Sequence, residues 1–388
     1  MLGARHGVRG IRNDHFIDLS DISETDLRRM GQTPSAALGS TRDKPNEEYC
    51  TRILNQLRAI AADAFIYIGG NDTAGTLQVL AAADDGKIAF VHAPKTIDND
   101  LVENDHTPGF MSAALFVAHA FQSIDLDFRA LPGIYVGVVM GRHAGFLTAA
   151  SAAWRRHEAD GPHLVYVPER HFSVERFLAT CARCARNSAA ASSPCRKGWR
   201  PRMAARSPSS LPENWSAMRT ATSSFPPAIS ARRCSSSWPG NSPACAPRVD
   251  TFGYLPRAFS GTVSEIDRRE AYDVGVHAVE VAADGGGSVT LQNGHGTTKV
   301  GVVPLAAVAG KTRLMPDDFL DPKENRVSDV GLAYLNRLCR RPRTFSHRSC
   351  EGGQLIASSA APAAISGHAA TGLKRTRSAF ASGRKPMP

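Results

Sequence analysis

The sequence predicts an α/β protein with doubly wound parallel sheets, and two features lead to this prediction. Short apolar runs of strand length alternate with segments of helical periodicity for more than 100 residues, a pattern that is typical of a parallel sheet with helices on both faces. The chain also has 388 residues, which is long enough for two domains that each bury a core.

Each element of the alternating region is predicted from its own pattern of apolar residues. Helices have apolar residues three and four positions apart, whereas buried parallel strands are short continuous apolar runs. In chain order, the predicted elements are a helix over Glu47–Ala62, a strand over Ala64–Ile68, a helix over Thr73–Ala83, a strand over Ile88–His92, a helix over Met111–Gln122, a strand over Ile134–Val139, a helix over Gly145–Arg156 and a strand over His163–Val167.

The regular pattern stops and later resumes. A helix is predicted to begin at Ser173, but residues 181–247 have no sustained period of strand or helix, and order returns at Arg248. Periodicity is lost again beyond Arg343. The elements predicted in between are a helix over Arg269–Ala283, a hairpin of Ser288–Leu291 and Thr298–Val303 around Asn293-Gly294, and a helix over Val330–Leu338.

The formal net charge of +10 is unevenly distributed along the chain. Residues 181–247 contain ten Lys and Arg against one acidic residue, Glu213, and residues 339–388 contain nine against Glu351. The rest of the chain is therefore net acidic and would repel a polyanion. The two basic blocks could be nucleic-acid-binding arms, but they lack regularly interleaved aromatic residues, so no nucleic-acid partner is predicted.

The sequence also argues against a membrane or secreted protein. It has no apolar run of about 18 residues or more, and residues 1–10 lack the apolar core of a signal peptide. Cys181-x-x-Cys184 has no second pair at zinc-ligand spacing. We therefore expect a cytoplasmic protein without a membrane partner.

Two loops at predicted strand ends have the residue types of phosphate chemistry. In Gly69–Thr73, a glycine turn would let phosphate approach backbone N–H groups at a helix N-terminus, although any tight turn after a strand would use glycines too. In Pro94–Asp100, one carboxylate can accept the proton of an attacking hydroxyl while another helps to hold Mg²⁺. The alternative for this second loop is a solvated Asp/Asn turn.

These loops and two later segments resemble the phosphofructokinase family. That family has a GGD-type loop, a TIDND loop, an MGR turn and a GYLQR segment, and the matching residues here are Asn71-Asp72, Thr96–Asp100, Met140–Arg142 and Gly253–Arg257. Leu38–Arg42 resembles the family's LGS-x-R turn. The resemblance covers about 270 of the 388 residues and implies a phosphofructokinase-like fold with the active site between two domains.

The resemblance also implies an activity, which is phosphoryl transfer to the C1 hydroxyl of fructose 6-phosphate in glycolysis, with Mg²⁺ as cofactor. By resemblance, Asp98 is the general base and is assisted by Arg142 and Lys95, while Asn71 and Asp100 lie at the metal. The residues implied for sugar-phosphate binding are Thr96, Ile97, Asp98, Met140, Gly141, Arg142, Glu169, Arg248, Tyr254, Leu255, Pro256 and Arg257. Those implied for the donor are Arg42, Gly70, Asp72 and Lys95.

The phosphoryl donor is interpreted from Asp72 and Lys95, because family members that use ATP have glycine at both positions. A carboxylate at Asp72 would repel the inner phosphate of a nucleotide, whereas pyrophosphate would leave that space empty. Lys95 would supply a point charge to the smaller anion. Pyrophosphate is therefore the predicted donor, and an ATP-dependent enzyme is the alternative.

Several positions depart from the family pattern. The family's first strand and Gly-rich phosphate loop have no counterpart before Gly7, and residues 181–247 and the tail after Arg343 match nothing in the family. We interpret the two blocks as frameshifted stretches and the start as too far downstream, so an inactive remnant is a further alternative. Asn71 replaces an Asp of most members.

The resemblance suggests a domain division that these departures interrupt. Residues 1–140 would form the donor-phosphate domain, residues 141–343 the fructose 6-phosphate domain interrupted by residues 181–247, and residues 344–388 a disordered tail. Gly133 stands where many bacterial members have an arginine that reaches a neighbouring subunit. The oligomeric state, a homo-oligomer included, is thus left open.

Overall fold

The computed structural model describes residues 1–129, 134–158, 160–173, 177, 202–206, 247–294 and 297–340, with only the backbone at 202–206 and 247. These residues belong to the unit Met1–Arg341. Gly133, most of the 181–247 block and the tail after residue 340 lie outside the described residues, so the frameshift interpretation and the predicted tail stay hypotheses.

The first 32 residues form elements for which the sequence shows no clear period. Strand β1 (Leu2–Ala4) and strand β2 (Phe16–Asp18) pair antiparallel as a small sheet on either side of helix α1 (Val8–Arg12). Helix α2 (Glu24–Gln32) follows, and its N-cap side chain, Ser23 Oγ, accepts from Asp26 N at 3.1 Å. Strands of three residues are too short for a periodicity test.

The first larger sheet is built from the alternating region and a hairpin that comes much later in the chain. Helix α3 (Glu47–Ala59), strand β3 (Ala64–Gly69), helix α4 (Asn71–Ala83) and strand β4 (Ala89–Pro94) follow in order, and β3 and β4 are parallel. One helical layer packs through apolar side chains of the predicted stripes, namely Ile53, Leu54, Leu57, Leu77 and Leu80.

The second larger sheet is parallel throughout. Its elements in chain order are helix α5 (Phe110–Phe128), strand β5 (Ile134–Val138), helix α6 (Phe146–Ala149) with a 3₁₀ turn (Ala150–Ala152), strand β6 (Leu164–Tyr166), strand β7 (Arg202–Arg206) and strand β8 (Pro247–Thr251). The strand order is β6-β7-β5-β8. Strand β7 lies inside the block that has no sequence period, where we did not predict a strand.

The last described elements return to the first sheet. Helix α7 (Glu265–Ala283) leads into the hairpin of strands β9 (Gly286–Gly294) and β10 (Thr297–Val303), and β9 pairs parallel with β4. The first sheet therefore has the order β10-β9-β4-β3. Helix α8 (Leu305–Val308) and helix α9 (Asp329–Leu338) follow.

The predicted elements of the alternating region, the helix over 269–283, the hairpin and the last helix are confirmed, with shifted ends. The largest difference is at Gly145–Arg156, where α6 and its 3₁₀ turn end at Ala152. No helix in the described ranges is both long and apolar enough to cross a membrane. The division into domains at residue 140 stays a prediction.

Candidate active site

The two motif loops lie side by side because β3 and β4 are parallel neighbours in register. Gly69 at the end of β3 lies opposite Pro94 at the end of β4, and Lys95 N donates to Gly69 O at 2.9 Å. The carboxyl ends of both strands therefore open at one edge of the sheet, where α/β folds bind ligands.

The first loop ends at the N-terminus of α4, with Gly70 as the N-cap residue and no side-chain cap. The first N–H groups of this 13-residue helix thus keep donor capacity at the site. A Cβ on Gly69 would lie 2.0 Å from Thr73 Oγ1, whereas one on Gly70 would find only ordinary contacts at 3.9 Å. The glycine that packing requires is therefore Gly69.

The second loop is held by backbone and hydroxyl contacts. Thr96 Oγ1 accepts from Asp98 N at 3.1 Å, and Thr96 O accepts from Thr107 Oγ1 at 2.7 Å. Asn99 has a left-handed backbone with φ 59°, which asparagine tolerates better than most residues. The tight Asp98-Asn99-Asp100 turn follows from this choice of residue.

The environment of Asp98 is that of a buried carboxylate with cations near it. Burial raises its pKa, while Arg257, Lys95 and His143 oppose the rise. Its Oδ1 is buried and has no hydrogen-bond partner among the described residues. A carboxylate in this state has an oxygen available to accept a proton.

The pKa of Asp100 is shifted more strongly than that of Asp98. Burial, together with the negative charges of Asp98 and Asp72, raises the pKa of Asp100 to about 6. Its Oδ2 accepts from Asn71 Nδ2 at 3.1 Å, which joins the second loop to the start of α4. Two close carboxylates with one neutral partner favour a bound cation.

The residue types at this edge fit Mg²⁺. Mg²⁺ is commonly held by one or two carboxylates together with substrate phosphates and water, and Asp98 and Asp100 supply the carboxylates. The Oδ1 of Asn71 is a third candidate, because it is buried without a partner among the described residues. No group of three or more His, Cys, Asp and Glu with metal-binding geometry occurs in the described ranges, so phosphate or water would complete the coordination.

Cations surround the same edge. Burial lowers the pKa of Lys95 and nearby Arg257 lowers it further, whereas Asp98 raises it. Arg42 donates through Nη2 to Tyr254 Oη at 3.0 Å, and Arg257 lies over the Tyr254 ring with its guanidinium 5.6 Å from the centroid. The turn after β8 and the Arg42 segment therefore meet at Tyr254.

Asp72 has a partner that the sequence did not indicate. Lys44 Nζ lies 3.2 Å from Asp72 Oδ2, and the Asp72 side chain is 79% exposed. The carboxylate thus stands at the open side of the site rather than in its interior, in an exposed ion pair.

Glu169 is fixed by backbone groups. Its Oε1 accepts from Gly145 N at 2.9 Å and from Met315 N at 3.0 Å, whereas Oε2 is buried without a partner among the described residues. Burial raises its pKa. A Cβ on Gly145 would lie 2.8 Å from Glu169 Oε2, so glycine is needed for this close approach. The second acceptor oxygen is available to a ligand hydroxyl.

The other residues implied by the family resemblance differ in how buried they are. Ile97 and Met140 pack against the core of the second sheet, and Pro256 is buried, whereas Arg142 and Leu255 are exposed. Gly141, between Met140 and Arg142, has φ 153°. The MGR turn thus follows β5 and leaves the Arg142 guanidinium in solvent.

The structure does not bring Arg248 to the carboxyl-end edge. Arg248 lies near the amino end of β8, opposite Tyr135 near the amino end of β5, and its guanidinium is 5.3 Å from the centroid of the Phe128 ring. The MGR turn follows the other end of β5. The position of Arg248 is therefore that of a residue stacked on α5.

The sequence did not single out three residues that contact the site loops, namely Lys44, Arg313 and Tyr334. Arg313 N donates to Asp100 O at 2.8 Å, and Tyr334 Oη accepts from Asn99 Nδ2 at 2.9 Å. His143 is exposed and lies close enough to Asp98 to lower the pKa of that carboxyl. Arg313 and Tyr334 lie more than 200 positions along the chain from the loop residues that they contact, and contacts at this separation leave no local pattern.

Known proteins with related sequences point to one family. The family described as phosphofructokinase matches residues 1–282. A pyrophosphate–fructose 6-phosphate 1-phosphotransferase of Rhodospirillum rubrum is 44% identical over 358 residues, which are 89% of this chain and 87% of that protein.

Solved structures with a similar fold include two pyrophosphate-dependent phosphofructokinases. The pyrophosphate-dependent phosphofructokinase of Nitrosospira multiformis superposes with a TM-score of 0.75 at 26% identity, covering 90% of this chain and 85% of that one. The corresponding protein of Marinobacter aquaeolei has a TM-score of 0.74 at 26% identity, covering 87% and 82%.

Proposed function

Because this chain belongs to the phosphofructokinase family, as its motifs predicted, we propose that it transfers a phosphoryl group from pyrophosphate to the C1 hydroxyl of fructose 6-phosphate. The products are fructose 1,6-bisphosphate and phosphate. The observation that carries the proposal is the buried Asp98 carboxylate, with a free oxygen, beside the positive charges of Lys95 and Arg257.

Asp98 acts as the general base. As the C1 oxygen bonds to the phosphorus of the donor, its proton passes to the Asp98 carboxylate, and the bond to the departing phosphate breaks. Burial raises the pKa of Asp98, which makes its carboxylate a stronger base, while Arg257 and Lys95 oppose this rise. Such a base contributes roughly 10²–10⁴ in rate.

Positive groups stabilise the charge on the phosphoryl oxygens. Transfer of a phosphoryl group needs chiefly positioning and charge neutralisation. Lys95 is assigned to both the donor and the reacting group, Arg142 and Arg257 to the sugar phosphate, and Arg42 to the donor. Glu169 Oε2 accepts a sugar hydroxyl, since both of its backbone donors bind Oε1.

Mg²⁺ would be held by Asp100 and Asn71 with help from Asp98. It would neutralise charge on the pyrophosphate oxygens when bound. The Asn71 amide already orients the Asp100 carboxylate at 3.1 Å, so the protein's own contribution is to keep this oxygen facing the start of α4.

The donor assignment rests on Asp72, Lys95 and the relatives. Each of the three reported relatives has pyrophosphate in its name. A negative charge at the open N-terminal edge of α4 disfavours a longer polyphosphate chain that would run past it. The cytoplasmic location and the lack of a nucleic-acid partner stay predictions of the sequence.

The direct test is a donor comparison on the purified chain with fructose 6-phosphate and Mg²⁺, with fructose 1,6-bisphosphate as the measured product. We expect turnover with pyrophosphate and a kcat/KM with ATP lower by about 100-fold or more, as a charge-excluded donor would show. A preference for ATP would establish the alternative enzyme. Absence of turnover with either donor, in protein with a cooperative unfolding transition, would indicate a remnant.

A further inference from the structure

Asn99 separates the two carboxylates of the second loop, so its conformation sets how both are presented. The side chain is fully buried, and its backbone has φ 59°. A non-glycine residue in this region is strained, and it persists only where its surroundings hold it. Another group must therefore hold Asn99 in this conformation.

Asn99 is held by a chain of hydrogen bonds. Asn99 Nδ2 donates to Tyr334 Oη at 2.9 Å, and Tyr334 Oη donates to the backbone carbonyl of Asp105 at 2.7 Å. The carbonyl can only accept, so it takes the hydroxyl proton, and the hydroxyl oxygen must then accept from the Asn99 amide. The direction of the whole chain is thereby fixed.

Tyr334 is itself held on three sides. Its ring lies 5.0 Å from the ring of Phe319 and 6.1 Å from that of Phe146, centroid to centroid, and the Arg337 guanidinium is 5.4 Å from the ring. Arg337 also binds Asp105 Oδ2 at 2.5 Å. The hydroxyl of Tyr334 is thus a rigid point on α9 against which the loop rests.

We propose that Tyr334 is a positioning residue for the reaction, since its hydroxyl holds Asn99 in the left-handed conformation that orients Asp98 and Asp100. The inference rests on the proposed function and assigns a role in it to α9, which lies outside all four motifs. Tyr334 acts through Asn99 and touches neither the base nor the phosphates in this assignment.

The first test is Tyr334→Phe, which removes the hydroxyl and keeps the ring. The amide of Asn99 loses the acceptor of its Nδ2 donor, so we expect kcat to fall about tenfold or more while KM for fructose 6-phosphate changes less than about threefold. Leu335→Val, at a buried side chain of the same helix, is the control for lost stability, and Tyr272→Phe, at a 71% exposed side chain, is the control for hydroxyl removal. Both controls should keep kcat.

The second test is a double-mutant cycle with Asn99→Gly, which permits the left-handed backbone but lacks the amide. If the hydroxyl acts through Asn99, adding Tyr334→Phe to Asn99→Gly should lower kcat by less than about twofold. Additive losses would overturn the proposal, because Tyr334 would then act on catalysis by another route.

The third test does not depend on activity. Hydrogen exchange of peptides that cover residues 96–105 should be faster in Tyr334→Phe than in wild type and in Leu335→Val. If wild type shows no turnover, the proposed function fails while this comparison still decides the positioning role. Unchanged exchange in the loop, or a kcat loss equal to that of Leu335→Val, would overturn the inference.

Discussion

Replacing Asp98 by asparagine tests the assignment of the general base with little change in shape. The amide keeps the size of the side chain and can still lie near Lys95 and Arg257, but it cannot accept a proton at neutral pH. Because burial raises the pKa of the Asp98 carboxylate, its charge is held at a cost to folding that a neutral amide does not incur.

The size of the expected loss in kcat follows from the role of Asp98 as general base. Loss of the base should lower kcat by about 10²–10⁴, equal to about 3–5 kcal/mol of transition-state stabilisation. KM for fructose 6-phosphate should change little, since no described hydrogen bond of the loop involves an Asp98 side-chain oxygen. The free energy of unfolding should be equal to that of wild type or higher.

The assay is steady-state turnover with pyrophosphate at saturating fructose 6-phosphate, together with urea unfolding of each variant. Asp85→Asn removes an equal charge from the exposed loop at the amino end of β4, away from the site edge, and should keep wild-type kcat. A fall in kcat of less than about tenfold in folded Asp98→Asn protein would refute the role of the base.

Three further predictions concern donor preference, the pH dependence of stability and the effect of two glycines on stability. Asp72→Gly combined with Lys95→Gly should lower kcat/KM for pyrophosphate and raise it for ATP, as a donor comparison would measure. Burial lowers the pKa of His106, but hydrogen bonds to Asp105 and Glu270 outweigh it and raise that pKa above 6.5. The stability advantage of wild type over His106→Gln in urea unfolding should therefore be full below about pH 6.5 and shrink as pH rises through the raised value. Gly286→Ala, with φ 105° and a Cβ 2.6 Å from Phe90 O, should lower the unfolding free energy by about 2–4 kcal/mol, whereas Gly75→Ala, with no atom within 4 Å, should raise it by about 0.5–1 kcal/mol.

The sequence predicted those parts of the fold that have a repeating apolar pattern. The stripe of α3 and the continuous run of β4 are visible locally because each packs against apolar side chains. The run of β3 was predicted to be buried, but β3 is an edge strand whose Ile68 is 64% exposed. The pairing of β9 with β4 was not predictable from period alone, since it joins segments almost 200 residues apart. Strand β7 lacks an apolar run and owes its place to backbone pairing with β5 and β6.

The candidate site was predicted where short motifs carry the chemistry. Asn71, Asp98 and Asp100 meet because adjacent parallel strands end together, which strand order alone implies. Arg248 was carried over by resemblance and lies at the opposite end of its sheet. Tyr334 could not be identified, because a single tyrosine in an amphipathic helix is first of all a packing residue.

The ion pair between Lys44 and Asp72 bears on how the donor is selected. Had this ion pair been buried, it would have neutralised the carboxylate that is proposed to exclude a nucleotide. Both partners are largely exposed, at 73% and 79%, and an exposed pair contributes only about 0–1 kcal/mol and is screened by salt. Lys44 therefore offsets the Asp72 charge only weakly, and donor selection should depend on Asp72 itself while tolerating the loss of Lys44.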